Sequence, residues 1–367
     1  MLRRRFIQGC LSVGVGGFLA APTAYALTFE SYKKQQAAAF DDYQARFRAA
    51  QQVFQQRVLQ RWQQAKLTHQ NRFVHYSKDL SVRSEIDYRA GTITLEAQAL
   101  TPAAAGKKIK EELTQLLQMD SRKAYRDDVI LQLVDQEQVN QNADSLVSEP
   151  LLGDLYEGQQ VEEILQPSGK SMVEDRQPVA KVVIQLPEGT TASKAKRYQP
   201  LAEKYAAEQR VSAALVMAVM HAESYFNPMA RSHIPAFGLM QIVPKSAGLD
   251  TTEYLTGKQR MMTAAELYQP AINIQSGSAY LHLLYFRYLK QIADPASRLY
   301  CTIAAYNTGA GNLARSFGGS TNVNQAAASI NGLQSEQVYQ HLRHNLPYNE
   351  TREYLEKVTS KMALYRA

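Results

Sequence analysis

The chain has 367 residues, of which 45% are hydrophobic and 20% charged, a globular composition long enough for two domains that each bury a core. Its net charge of +7 and pI near 9.1 suit an anionic partner such as nucleic acid, anionic lipid or an acidic cell-wall polymer. That charge is dispersed, with Arg3-Arg4-Arg5 the one run of three, and this argues against a nucleic-acid-binding protein.

Residues 1–26 read as an export signal. Arg3, Arg4 and Arg5 form the positive end, an apolar glycine-rich run extends from Cys10 to Ala21, and Ala24-Tyr25-Ala26 fits a cleavage site. The order Arg3-Arg4-Arg5-Phe6-Ile7 fits a twin-arginine signal as well as a general secretory one. Cys10 precedes the apolar run instead of following it, which argues against a lipid anchor there. The remaining cysteine, Cys301, sits among Tyr300, Ile303 and Ala304 and reads as a small buried hydrophobe. With a single cysteine beyond the signal there is no intramolecular disulfide and no cysteine pair for a metal, and no cofactor is expected. No later stretch is long and apolar enough to span a bilayer.

Residues 27–140 are expected to form a small α+β domain. A helical pattern runs over 28–67, with Phe40, Tyr43, Phe47, Ala50 and Phe54 at spacings of three and four. This stripe would pack on its own domain, on a partner helix or on a membrane surface. Val82, Ser84, Ile86 and Tyr88 alternate with charged residues, turn at Ala90-Gly91 and return through Ile93 and Leu95, a hairpin pattern. Thr101-Pro102 opens a helix to about Met119, with threonine as cap and proline in the first turn. Val129 to Val134 fits either a strand or a helix.

Residues 141–190 read as a linker and connecting strand. The stretch 140–178 is polar and acidic, while Ala180, Val182, Val183, Ile184 and Leu186 mark a strand ended by Pro187. From 191 to 367 helical patterns dominate: one around Tyr198 to Ala206, then Ser212–Ser224, Ala271–Leu289, Arg298–Tyr306, Ser335–Leu342 and Thr351–Tyr365. The fold class is therefore α+β, a small mixed domain followed by a mainly α-helical one. No internal repeat of fixed period is present.

The helix from Ser212 is apolar nearly all round, through Leu215, Val216, Met217, Val219 and Met220, and so is expected to be buried. Glu223 lies in its last turn, three and four residues after Met220 and Val219, on their face. Burial and the carboxyl-terminal end of the helix dipole both disfavour the charged carboxylate. Glu223 should then stay protonated near neutral pH, as a general acid requires. The alternative is an ordinary surface glutamate at a helix end. Asn227-Pro228 stops the helix, Ser232 can supply a hydroxyl, Gly238 allows a close backbone approach, and Gln241 offers a donor and acceptors. Each of these, alone, also fits a cap or turn. After Glu223 the next acids are Asp250 and Glu253, neither obviously placed as a second catalytic carboxylate.

Two further clusters carry polar and aromatic groups at helix ends. Ala305-Tyr306-Asn307-Thr308-Gly309 closes one helix, and could equally be a cap with a packed tyrosine. Pro347-Tyr348-Asn349-Glu350-Thr351-Arg352-Glu353-Tyr354 opens the last, where Glu350 also suits the helix dipole.

Together Glu223-Ser224, Asn227-Pro228, Gly238-Leu239-Met240-Gln241, Ala305-Tyr306-Asn307 and Glu350-Thr351-Arg352 with Tyr354 resemble the lytic transglycosylase family of lysozyme-like enzymes. Upstream, Phe73-Val74-His75-Tyr76 through Gly91-Thr92-Ile93-Thr94 looks like the amino-terminal domain of its membrane-bound murein-cleaving members. The resemblance implies a lysozyme-like domain over 191–367 that cleaves the β-1,4 bond between N-acetylmuramic acid and N-acetylglucosamine. It implies one glutamate, here Glu223, acting as acid and then base, with a 1,6-anhydromuramoyl product. Ser232 and Tyr306 match positions assisting catalysis. Gln241, Met240, Asn307, Glu350 and Tyr354 match positions that hold the sugar. The resemblance also implies an exported protein of the periplasm or cell envelope that acts on peptidoglycan, with an outer-membrane lipid anchor that Cys10 does not fit. Cell-wall enzymes or a membrane surface remain as partners for the amino-terminal domain. A lysozyme-type hydrolase and an idle peptidoglycan-binding scaffold are the alternative functions.

Overall fold

The computed structural model describes residues 29–366 apart from 154, 167 and 175–177, so the export signal lies outside the described residues. Helix α1 (Phe29–Leu59) is the long amphipathic helix expected from the stripe. Phe40, Phe47, Ala50 and Phe54 on that stripe are all buried. Phe47 meets Phe237 edge-on, with ring centroids 6.3 Å apart. The stripe is thus covered by the protein itself and is not available to a membrane or a partner helix. The helix also ends at Leu59, short of residue 67. Beyond it, Trp62 donates from Nε1 to the Leu80 carbonyl at 2.7 Å, and the Arg83 guanidinium stacks 4.0 Å over its ring.

The sheet contains β1 (Arg72–Tyr76), β2 (Val82–Asp87), β3 (Thr92–Gln98), β4 (Gly169–Glu174) and β5 (Pro178–Gln185), in the order β1-β2-β3-β5-β4. All neighbours are antiparallel, with Ile86 opposite Ile93 and Leu95 opposite Val182. The expected hairpin is β2–β3. One face, through Ile86, Ile93, Leu95 and Ala97, packs under α2 (Pro102–Leu117), whose cap Thr101 accepts from the Ala104 amide at 3.2 Å. The other face is polar: Glu96 accepts from Arg83 Nε at 2.6 Å and from Lys66 Nζ at 2.9 Å.

One open reading is decided here and one expectation changes. Val129 to Val134 is helical, within α4 (Val129–Ala143), which follows α3 (Ser121–Arg126) and packs on α1. The polar stretch read as a linker holds a short helix, α5 (Val161–Leu165), and β4. Strand pairing overrides its composition, because β5 supplies an apolar partner edge.

The rest is helical, as expected: α6 (Thr190–Gln209), α7 (Ala213–Ser224), α8 (Leu249–Thr256), α9 (Ala264–Leu267), α10 (Pro270–His282), α11 (Pro295–Thr308), α12 (Ala310–Gly318), α13 (Val323–Asn331), α14 (Ser335–Asn345) and α15 (Asn349–Met362). The helix expected over 271–289 widens into a π-helical segment at Leu283–Tyr288. Helices α8, α9, α12 and α13 were not legible in the pattern. Helix α7 forms the centre, packed against α6, α10 and α15 and buried at nearly every position. No described helix is long and apolar enough to cross a membrane.

Candidate active site

Glu223 ends α7 in the heart of this bundle and is only 7% exposed. Burial raises its pKa to about 8, the nearby charge of Glu350 adds to the rise, and the Tyr354 hydroxyl pulls it down. Tyr354 is buried beside the carboxyl, but its hydroxyl makes no hydrogen bond of good geometry among the described residues. At neutral pH the acid therefore carries its proton.

The chain turns sharply behind the acid. Tyr225 and Phe226 both take left-handed backbone conformations, with φ of 50° and 60°. Two consecutive non-glycine residues there store strain, which the surroundings must hold. Ser224 Oγ donates to the Met220 carbonyl at 3.0 Å and accepts from the Phe226 amide at 3.1 Å. Phe226 is fully buried and stacks on Tyr198 at 6.3 Å. Asn227 accepts from the Met229 amide at 3.0 Å and donates to the Gln70 carbonyl at 3.1 Å, so it does more than end the helix.

The loop 237–242 is braced from below. Gly238 has φ of +75°, and a Cβ there would lie 2.2 Å from the Leu267 carbonyl oxygen and 2.4 Å from Asn273 Nδ2. Asn273, absent from the sequence-derived site, donates to the Phe237 and Leu267 carbonyls at 2.8 and 2.7 Å and accepts from the Met240 amide at 2.7 Å. The Tyr306 hydroxyl donates to the Met240 carbonyl at 2.8 Å. Burial first, and then the proximity of Glu223, lift the Tyr306 pKa well above the usual phenol range. Tyr306 thus links this loop to the acid.

The other expected residues divide. Asn307, Glu350 and Tyr354 line one pocket with Glu223, a cleft of about 100 Å³. Thr351 donates to Asn307 Oδ1 at 2.7 Å and locks the start of α15 to the end of α11. Met240 is fully buried, and its sulfur fills the space that a Cβ on Gly277 would need, so it presents no surface to a sugar. Gln241 is buried, with Nε2 donating to the Gly238 carbonyl at 3.0 Å and Oε1 without a partner among the described residues. Ser232 is outside the residues lining the pocket and donates to the Ile234 carbonyl, which fixes its own loop instead of reaching the acid. Asp250 accepts from the Tyr288 hydroxyl at 2.9 Å and is likewise not among the pocket residues.

Sequence reasoning missed several pocket residues. Lys357 and Lys361 share a helical stripe with Glu350 and Tyr354, at spacings of four, three and four, and could have been read from α15. Gln70, Asn71 and Arg89 come from the amino-terminal part, before β1 and after β2, and no local pattern points to them.

A buried, protonated acid flanked by tyrosines thus faces a polar cleft at the centre of a helical bundle, an arrangement suited to acid–base chemistry. The Transglycosylase SLT domain matches residues 200–329, a span holding Glu223, Ser232, Met240, Gln241, Tyr306 and Asn307. Membrane-bound lytic murein transglycosylase C of Yersinia pestis is 34% identical over 297 residues, which cover 80% of this chain and 82% of that protein. The corresponding protein of Yersinia pseudotuberculosis gives the same figures. The chain belongs to the lytic transglycosylase family. Among solved structures, the 70 kDa soluble lytic transglycosylase of Escherichia coli is 25% identical over 46% of this chain, with a TM-score of 0.36. The lytic transglycosylase Slt of Pseudomonas aeruginosa is 23% identical over 45%, with a TM-score of 0.33. This chain spans about a quarter of the length of these two, at 24% and 23% respectively.

Proposed function

We propose that this chain is a peptidoglycan lytic transglycosylase in which Glu223 performs both proton transfers at the β-1,4 bond between N-acetylmuramic acid and N-acetylglucosamine. The observation that carries this reading is the burial of Glu223, which keeps its carboxyl protonated at neutral pH. The Glu223 carboxyl gives its proton to the glycosidic oxygen as the bond from C1 to that oxygen breaks. The resulting carboxylate takes the proton from the muramoyl 6-hydroxyl, whose oxygen bonds to C1. The electron pair of the broken bond stays with the leaving sugar, Glu223 regains its proton, and no water is consumed.

Tyr306 positions the loop above the acid. Tyr354 lies beside the carboxyl, Asn307 and Glu350 bind the flanking sugar rings, and Gln241 braces the loop through the Gly238 carbonyl. Ser232 stiffens its own loop through the Ile234 carbonyl. The amino-terminal α+β part is a module that walls the cleft through Gln70, Asn71 and Arg89. The basic amino-terminal signal and the membrane-bound relatives support export to the cell envelope and association with the outer membrane. Cell-wall enzymes are further candidate partners.

Digestion of purified peptidoglycan followed by mass spectrometry of the released muropeptides tests the reading. Products lighter by one water than the hydrolysed sugar are expected. Reducing N-acetylmuramic acid ends would instead assign a lysozyme-type hydrolase.

A further inference from the structure

The pocket around Glu223 carries cations that the acid–base chemistry does not use. Arg89, Lys357 and Lys361 line it, against the two acids Glu350 and Glu223, the second of which is protonated. Lys361 Nζ lies 3.0 Å from His221 Nε2 and 5.0 Å from the centre of the Tyr225 ring. Burial, and then the charge of Lys361, hold His221 down at about 4, so this histidine is a neutral neighbour and not a counter-ion. Burial, then Arg89, then Lys357 push the pKa of Lys361 itself downward. The three cations therefore crowd one another, and an anion placed among them relieves the repulsion. Lys357 has Glu353 at 3.2 Å on the next turn of α15, an exposed pair that leaves the cluster positive.

Arg89 reaches the pocket from a braced turn. Asp87 Oδ1 accepts from the amides of Arg89 and Ala90 at 3.0 and 2.8 Å. The preceding Tyr88 donates to the Leu151 carbonyl at 3.1 Å, with Lys194 Nζ 4.6 Å from its ring centre. The groups acting on Glu223 are burial, Tyr354 and Glu350, so the acid keeps its proton beside this positive cluster.

We infer that Arg89, Lys357 and Lys361 form a carboxylate-binding subsite next to Glu223 that grips the lactyl substituent of a muramoyl residue, either its own carboxylate or one on the peptide attached to it. The inference rests on the transglycosylase reading above. An N-acetylglucosamine ring carries no lactyl group and gains nothing from the cluster. The subsite therefore fixes which way round the strand lies, and it requires the amino-terminal part, because Arg89 comes from the β2–β3 turn.

Equilibrium binding to the full chain carrying Glu223→Gln, which holds substrate without cutting it, is the test. The probes are a muramoyl tetrasaccharide with peptide stems, the same glycan stripped of stems by an amidase, and chitotetraose. Adding Arg89→Gln and Lys357→Gln should weaken at least one of the two muramoyl ligands about tenfold, as expected for lost charge-assisted bonds, and leave chitotetraose unchanged. Loss confined to the stem-bearing ligand places the grip on a peptide carboxylate, loss confined to the stripped glycan places it on the lactyl carboxylate, which is free only there, and loss shared by both shows that the subsite takes either. Arg89→Lys should restore most of the affinity, and an unchanged unfolding midpoint shows that the fold is intact. Unaltered affinity for both muramoyl ligands, or an equal loss for all three, overturns the inference. The product masses from the unmodified chain judge the transglycosylase reading separately.

Discussion

Asn227 donates to the Gln70 carbonyl at 3.1 Å across 157 residues of sequence. The turn that follows Glu223 is thereby tied to the segment that walls its pocket, so the amino-terminal part and the helical part meet there. Arg231 and Asp128 make a second such link, 2.5 Å apart and largely buried.

Glu223→Gln should abolish glycan cleavage, lowering the rate by about 10³-fold or more, because a general acid supplies roughly 10²–10⁴ and here also serves as the base. Release of anhydromuropeptides from peptidoglycan measures it. Binding should survive, since the amide has the shape of the protonated carboxyl it replaces.

The pH profile follows from the raised pKa of Glu223. The free enzyme must hold the proton, so kcat/KM should be level below about pH 8 and fall tenfold per unit above it. A fall starting near pH 5 would show that the acid is not held in its protonated form.

Stability should follow the same group. The folded chain binds this proton up to about pH 8, while the unfolded chain releases it near the usual 4.5. The proton's contribution is full below 4.5 and is lost as pH rises to about 8. The Glu223→Gln protein should gain in Tm relative to the parent across that window, on the order of a few degrees by alkaline pH. Thermal unfolding at a series of pH values checks the sign.

Tyr306→Phe keeps the ring and removes the bond to the Met240 carbonyl. It should cost about 1 kcal/mol of stability and lower kcat about tenfold, with little change in KM, because the loop loses its register over the acid. Steady-state kinetics on a soluble glycan separates the two constants.

Gly238→Ala should destabilise the fold by about 2–4 kcal/mol. The new Cβ meets the Leu267 backbone at 2.2 Å, on a residue with φ of +75°. Urea unfolding gives the value. An Ala at Gly257, whose φ is similar but whose surroundings are open, isolates the strain from the collision.

Asp128→Ala strips the partner from the buried Arg231 guanidinium and also removes the α4 cap, which accepts from the Ile130 and Leu131 amides at 3.0 Å each. A loss of about 3–5 kcal/mol is expected. Asp128→Leu with Arg231→Leu should recover part of it, because no charge is then left buried alone.

The sequence by itself located the acid and described its setting. An apolar helix ending in Glu223, the glycine-led loop behind it and the tyrosines at two later helix ends all follow from local periodicity and turn chemistry. The α+β order of the chain followed too, from the β2–β3 alternation and the helical stripes after Thr190. What only the tertiary structure decided is how these pieces meet. It buried Met240 instead of offering it to substrate, turned Ser232 towards Ile234, and gave Tyr306 a partner 66 residues away. It also brought Arg89 beside α15 and covered the α1 stripe with Phe237. The physical reason is that periodicity records which face of an element is apolar, but not which distant surface covers it. The pKa of Glu223 depends on that covering, through burial, Tyr354 and Glu350.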